Sequence, residues 1–204
     1  MPKVTQQYRD ARRDQILGAA RRCFLRDGFH STSMQDLFAE AGLSAGAVYR
    51  YFASKDEVIV AIAEENMREV LVTVHELATA TAGRSLGQVM AGLMALIQAR
   101  DAADDLGGMA VLVWAEALRN PSLAGQLREL LTRMNEELTA LVAGHQQAGR
   151  LPGEVAADAI ARALVSMMAG YILQLTMLGP EAVAAVPDAV RALWPSASPV
   201  SQPG

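Results

Sequence analysis

The stretch from Ser33 to Lys55, SMQDLFAEAGLSAGAVYRYFASK, constrains this chain more than any other. It reads as two short helices joined by a tight glycine turn, then a second turn and the start of a third helix. Leu37, Ala41, Leu43, Val48 and Phe52 supply one apolar seam at helical spacing. Gly42 stands where the first helix must stop and reverse, and glycine enters the left-handed conformation without the clash that a Cβ brings. Ser33, with Asp36 three residues on, is a capping box that starts the first helix. Ser44, Ala45, Gly46, Ala47, Tyr49, Arg50, Tyr51 and Lys55 are left on the outer face of the second helix and its exit. A helix with so small and polar an outer face can enter a DNA major groove.

The charge distribution supports this reading only once the chain is divided. The 204 residues carry a net charge of −4 at pH 7, which alone argues against nucleic acid. Residues 1–55 hold nine Lys and Arg against five Asp and Glu, a balance of +4, whereas residues 56–204 hold nine against seventeen, a balance of −8. A basic head on an acidic body implies a nucleic-acid surface at one end. Cys23 is the one cysteine. It falls on the apolar face of its helix as a core residue, forms no internal disulfide and fits a reducing compartment. The opening residues MPKVTQQYRDARRDQ are polar and do not read as a signal peptide. The longest apolar run, 163–178, is interrupted by Ser166, Gly170, Gln174 and Thr176 and is short for a membrane span. The expectation is a soluble, cytoplasmic protein with no membrane partner.

Caps and breakers organise the rest. Residues 1–8 read as a flexible tail. A helical pattern starts at Arg9, with Ile16, Leu17, Ala20, Cys23 and Phe24 on one face, and Gly28 ends it. Ser54-Lys55-Asp56-Glu57 launches a long helix to about Ala80, and Ser85-Leu86-Gly87-Gln88 is a third such start. Asn120-Pro121 places a capping side chain before a proline at the first helical position. Gly149 and Pro152 separate two more long helices, the second expected over 154–178, and Gly179-Pro180 ends it. Pro187 divides or kinks the last segment. Residues 195–204, PSASPVSQPG, are disordered by composition. The pattern predicts an all-α fold of about nine helices without strands. It divides into a three-helix head at 1–55 containing a helix-turn-helix, a helical body at 56–194, and a tail at 195–204.

Thr32-Ser33, Leu37, Ala41-Gly42-Leu43-Ser44, Gly46, Tyr49, Tyr51-Phe52 and Ser54-Lys55 together match a known pattern. Over residues 9–60 the chain resembles the DNA-binding domain of TetR-family transcriptional regulators. Two residues depart from the family pattern. Phe38 stands where a small alanine is usual, and Tyr51 replaces a frequent histidine, although its phenol can still donate a hydrogen bond to a phosphate. The resemblance implies that 44–52 form the recognition helix of a DNA-binding regulator.

The residues support definite roles. Gly46 allows close approach to DNA, while Ser44, Ala45 and Ala47 lie near the helix start, where base edges are reached. The alanines offer only apolar contact, for instance to thymine methyl groups. Arg50 reaches a guanine or, late in the helix as it is, a phosphate. Tyr49, Tyr51 and Lys55 are expected on phosphates, with packed aromatics as the alternative for the two tyrosines. Thr32 and Ser33 sit at a helix N-terminus that favours an anion. Arg13, with Arg9 and Arg12, faces the backbone or an adjacent minor groove. Arg21 and Arg22 read as a solvated face. One such head makes few base contacts, so a homodimer on a palindromic double-stranded operator is expected.

In the body, Met90, Met94, Trp114, Met134, Met167 and Tyr171 either line an adaptable apolar pocket for a small-molecule effector or are plain core. Glu116, within the apolar stretch VLVWAEAL, either selects a cationic or hydrogen-bonding ligand or faces solvent. Ile160, Ala163, Leu164, Met167, Gly170, Leu173, Val190 and Trp194 form either a dimer interface or the body's own core. His30, His75 and His145 lack metal-ligand spacing, and Asp101, Asp104 and Asp105 read as a solvated loop. The residues suggest no catalysis, cofactor or metal. The expected function is that of a homodimeric repressor released from DNA by an apolar or amphipathic ligand. The alternatives are an activator, a DNA-binding dimer without a ligand, and a helical small-molecule binding protein.

Overall fold

A computed structural model describes residues 5–79 and 84–194 of the protein. The tail expected at 195–204 lies outside the described residues. The chain forms α1 (Gln6–Asp27), α2 (Met34–Ala41), α3 (Ala45–Val48), α4 (Lys55–Thr79), α5 (Leu86–Asp104), α6 (Leu106–Ala117), α7 (Pro121–Gln147), α8 (Ala157–Leu178), α9 (Pro180–Val183) and α10 (Val186–Leu193). No strand occurs among the described residues.

Among the described residues, five helix starts carry a side-chain cap, at Thr5, Ser33, Ser54, Ser85 and Asn120. Ser33 and Ser85 each close a full capping box, with Asp36 and Gln88. Ser54 accepts from the Glu57 N–H, but the Glu57 carboxylate reaches the N–H of Ala53 rather than that of Ser54. The Asn120 side chain accepts from the Leu123 N–H at 3.1 Å. The start of α1 differs from expectation. Thr5, in extended backbone, accepts from the Tyr8 N–H and opens the helix at Gln6, so residues 6–8 are helical rather than a tail. The α8 helix begins at Ala157 rather than at 154. Gln146 Nε2 donates to the carbonyls of Pro152 and Val155, each at 2.8 Å, and holds that approach in a non-helical course. Pro187 lies in the first turn of α10, and the last segment is two pieces, α9 and α10.

The helices make two compact units. The first runs to Asn66 and resumes at Gly108–Leu127; the second takes Met67–Gly107 and the chain from Arg128. In the first unit Ile16, Leu17, Cys23, Phe24, Leu37, Val48, Phe52, Ile59 and Ile62 pack with Met109, Val113 and Leu123. Cys23 is fully buried there, and burial together with the nearby Glu40 carboxylate pushes its thiol pKa up. In the second unit α5, α7 and α8 contribute Met90, Met94, Leu138, Leu164, Tyr171 and Leu175, closed by Val183 and Val190. Gly87 decides how near α10 comes to α5. A Cβ there would lie 2.8 Å from the carbonyl oxygens of Val190 and Trp194.

Both the Gly87 contact and a buried histidine can be tested in solution. Gly87→Ala forces backbone rather than a side-chain tip to move, and it should lower the unfolding free energy by about 1–3 kcal/mol in a urea titration. His145 is 3% exposed, and its Nδ1 has no partner. Burial, and then the Arg150 charge, lower its pKa, so the unfolded chain takes up a proton that the folded chain resists. Stability should therefore fall as the pH drops through about 6.5, and His145→Leu should flatten that dependence between about pH 7 and 5.5.

Candidate nucleic-acid interface

The glycine turn between α2 and α3 has the expected geometry. Gly42 adopts φ 65° and ψ 32°. Its N–H donates to the Ala39 carbonyl, and the Leu43 N–H donates to that of Phe38, both at 3.1 Å. This double closure is a Schellman motif, which satisfies carbonyls that the helix end would leave open. The segment after it is shorter as a helix than expected. The sequence pattern predicts a helix over 44–52, whereas α3 covers only Ala45–Val48 and the chain turns through Tyr51. The cause is local: the Val48 carbonyl accepts from both Tyr51 and Phe52, tightening the backbone as Phe52 enters the core at 5% exposure.

The outer edge of this segment is open. Ser44, the N-cap of α3, is exposed and its hydroxyl makes no capping bond, whereas Ala47 is half-buried. Ala45, Gly46, Tyr49 and Arg50 are exposed, as is the Ala53 that ends the turn, while Tyr51 is half-buried. A Cβ on Gly46 would meet nothing within 4 Å, so internal packing does not require glycine there. Tyr49 is packed on one side and open on the other: its ring meets that of Phe38 edge-on at 5.2 Å, yet the residue remains 51% exposed. Phe38, which departs from the usual alanine, is therefore the support for Tyr49. Arg13 lies 5.8 Å from the Phe52 ring centroid. Among the described residues, neither Arg13 nor Arg50 has a carboxylate at ion-pair distance.

Three expected phosphate contacts are corrected. Lys55 turns inward: its Nζ donates to the carbonyls of Phe29 at 2.5 Å and Thr32 at 2.8 Å, and lies 4.3 Å from the Phe29 ring centroid. Thr32 is 2% exposed, and its hydroxyl donates to the Gly28 carbonyl at 2.8 Å. Ser33 is exposed, but its N–H and hydroxyl both donate to the Asp36 carboxylate at 2.7 Å, which occupies this helix start with an anion of the chain's own. Those two bonds hold the Asp36 pKa low. Other cations are also committed. Arg21 pairs with Glu65, Arg22 with Glu40, and Arg26 with Asp27 and Glu40.

Comparison with known proteins places this geometry. The family described as "Bacterial regulatory proteins, tetR family" matches residues 16–62, and "BetI-type transcriptional repressor, C-terminal" matches 88–195. The chain belongs to the TetR family of transcriptional regulators. An HTH-type transcriptional repressor of Mycobacterium tuberculosis is 30% identical over 194 residues, 94% of this chain and 97% of that protein. The HTH-type nicotine-responsive transcriptional repressor HdnoR of Paenarthrobacter nicotinovorans is 30% identical over 166 residues, 80% of this chain and 82% of its own. Among solved structures, Salmonella enterica GusR superposes with a TM-score of 0.77 at 26% identity, covering 95% of this chain and 99% of that one.

As a TetR-family member the chain carries its expected body residues in two groups. Met90 and Met94 are core, at 0% exposure, and Met134 and Met167 pack against the same cluster. Tyr171 is 2% exposed with its hydroxyl unpartnered. Trp114 and Glu116 belong to the first unit instead. Glu116 is 8% exposed and meets His30 Nε2 at 3.2 Å, so it is neither solvent-facing nor placed with the methionines. Of the expected interface residues, Leu164 and Val190 are core, at 0% and 3% exposure. Ile160, Met167, Gly170 and Trp194 are half-buried, whereas Ala163 and Leu173 are exposed.

Lys55, His30–Glu116 and Phe38–Tyr49 are not legible from sequence spacing, because their partners are loop carbonyls or lie far along the chain. Removing the Lys55 ammonium should expose how much it holds. Lys55→Met is expected to lower the unfolding free energy by about 2 kcal/mol in chemical denaturation, with Arg50→Ala leaving it unchanged.

Proposed function

We propose that this TetR-family chain is a homodimeric repressor that grips a palindromic operator through two α3 edges and is released by a small organic molecule. The observation that carries this reading is the uncommitted edge of α3. Ser44, Gly46, Tyr49 and Arg50 are exposed and unbonded, in a head whose other polar groups are largely tied internally. Tyr49 and Arg50, flanked by Arg13 and Tyr51, suit phosphate contacts that fix register, while Ser44, Ala45 and Ala47 suit base edges.

Dimerisation is supported by α8. Ala159, Ala163, Ser166, Gly170, Leu173 and Met177 recur at alternating steps of four and three along it, the spacing of a helix–helix seam. The helix is long and apolar enough to cross a membrane, and only 28% of its most apolar window is buried within one chain. Leu173 and Met177 are 45% and 64% exposed. A second copy covering this seam accounts for the uncovered apolar surface. Two heads must then meet half-sites about 34–36 Å apart. An effector that binds the DNA-competent and released dimers unequally shifts the balance between them. The nicotine-responsive relative favours a small organic effector.

Selection of bound DNA from a random pool at two salt concentrations should return a palindrome. On that sequence Arg50→Ala should weaken binding and reduce the salt slope by about 1. Gly46→Leu should cost at least about tenfold in affinity, one phosphate or base contact's worth, without lowering the melting temperature. Leu173→Glu should yield monomers in analytical ultracentrifugation. Parent-like DNA binding by Gly46→Leu would remove α3 as the reading edge.

A further inference from the structure

The first turns of α1 carry a chain of hydrogen bonds that none of the roles above uses. Arg12 Nε donates to the Tyr8 hydroxyl at 3.0 Å, with the guanidinium carbon 5.1 Å from the centroid of that ring. Arg12 Nη1 donates to Gln15 Oε1 at 2.6 Å. The amide nitrogen of Gln15 donates in turn to the Ala41 carbonyl, 26 residues away, at 2.8 Å. All four residues lie in the first compact unit.

Ala41 is the last residue of α2, and its carbonyl is one of those that a helix end leaves without a helical partner. The Gly42 and Leu43 N–H groups close the Ala39 and Phe38 carbonyls, and the Gln15 amide completes the cap from α1. The bond to Arg12 fixes which way that amide points: the cation holds its oxygen, so its NH2 faces the carbonyl. Arg12 is thus tied, through one side chain, to the residue before the turn that leads into α3.

The charge of Arg12 is not spent in this chain. A phenol and an amide, both neutral, occupy Nε and Nη1, and Nη2 donates to nothing among the described residues. No carboxylate among those residues lies at ion-pair distance, whereas Arg21, Arg22 and Arg26 all have one. Tyr8 and Gln15 are exposed and Arg12 is half-buried, so the chain contributes little to folding. A guanidinium held in one orientation, with one edge open, is preorganised for a bidentate anion such as a phosphate.

We infer that Gln15 is a positioning residue for operator binding: it holds Arg12 as a second clamp on the phosphate backbone, in fixed register with the α3 edge. This rests on the regulator reading proposed above. Gln15 itself touches no DNA; it acts through Arg12, and the bond to Ala41 makes the clamp and the α2–α3 turn one piece.

Affinity of the full-length protein for the selected DNA, measured across a series of salt concentrations, tests the role. Arg12→Ala should weaken binding about tenfold and reduce the salt slope by about 1, as the loss of one phosphate contact does. Gln15→Leu should weaken it about fivefold, with an unchanged melting temperature. The double variant should bind no more weakly than Arg12→Ala alone, because the two residues act as one. Parent-like binding by Arg12→Ala or by Gln15→Leu would overturn the inference. So would additive losses in the double variant, which would mean that Gln15 serves the end of α2 without Arg12. Arg50→Ala is the reference: if it weakens binding while the α1 variants do not, the regulator reading stands and this inference fails. If no DNA is selected at all, the regulator reading fails and takes this inference with it.

Discussion

The Lys55 ammonium organises the DNA-binding head. The loop from α1 to α2 turns its Phe29 and Thr32 carbonyls inward, where they would otherwise be left without donors. A part-buried carbonyl without a partner costs on the order of 1–3 kcal/mol, so one cation answering several of them fixes the loop in one shape. Ser33, the next residue after Thr32, then begins α2 at a set position, and the Schellman closure at Gly42 sets where α3 starts. The placement of α3 is thus tied to a bond at the first residue of α4.

This arrangement consumes charge. Counted along the sequence, the head is basic by four units. In space, Lys55 is turned inward and Arg21, Arg22 and Arg26 sit against carboxylates. Apart from Lys55, the cations without a carboxylate at ion-pair distance among the described residues of the head are Arg9, Arg12, Arg13 and Arg50. The two alanines of α3 cannot make bidentate base contacts, so on the proposed reading sequence preference leans on DNA shape and on the spacing of two heads.

How much of the fold and the site is legible in the sequence depends on how far each interaction reaches. Capping boxes at Ser33 and Ser85, the stop at Gly42 and the break before Pro187 depend on neighbours within five residues, and such signals are local. The burial of Leu37, Val48 and Phe52 comes from periodicity. Lys55 is misread because its sequence neighbourhood, an exposed helix start, is the same whether the ammonium faces phosphate or loop carbonyls 23 to 26 residues away. Thr32 is misread for a similar reason: a hydroxyl before a helix suits an anion until the Gly28 carbonyl claims it. Leu164 and Val190 show the limit of reading an interface from an apolar helix, since the same stripe serves core and surface a few tens of degrees apart.

The first compact unit is assembled from two separate stretches of chain, and Met109, Val113 and Leu123 complete a core begun by α1 to α4. During synthesis the N-terminal segment therefore leaves the ribosome before the residues that finish its interior exist. The apolar faces of Phe24, Ile59 and Ile62 must wait through the whole of α5, a helix that belongs to the other unit. A gene fragment cut after α4 would therefore encode α1 to α4 without the Met109, Val113 and Leu123 that complete their core.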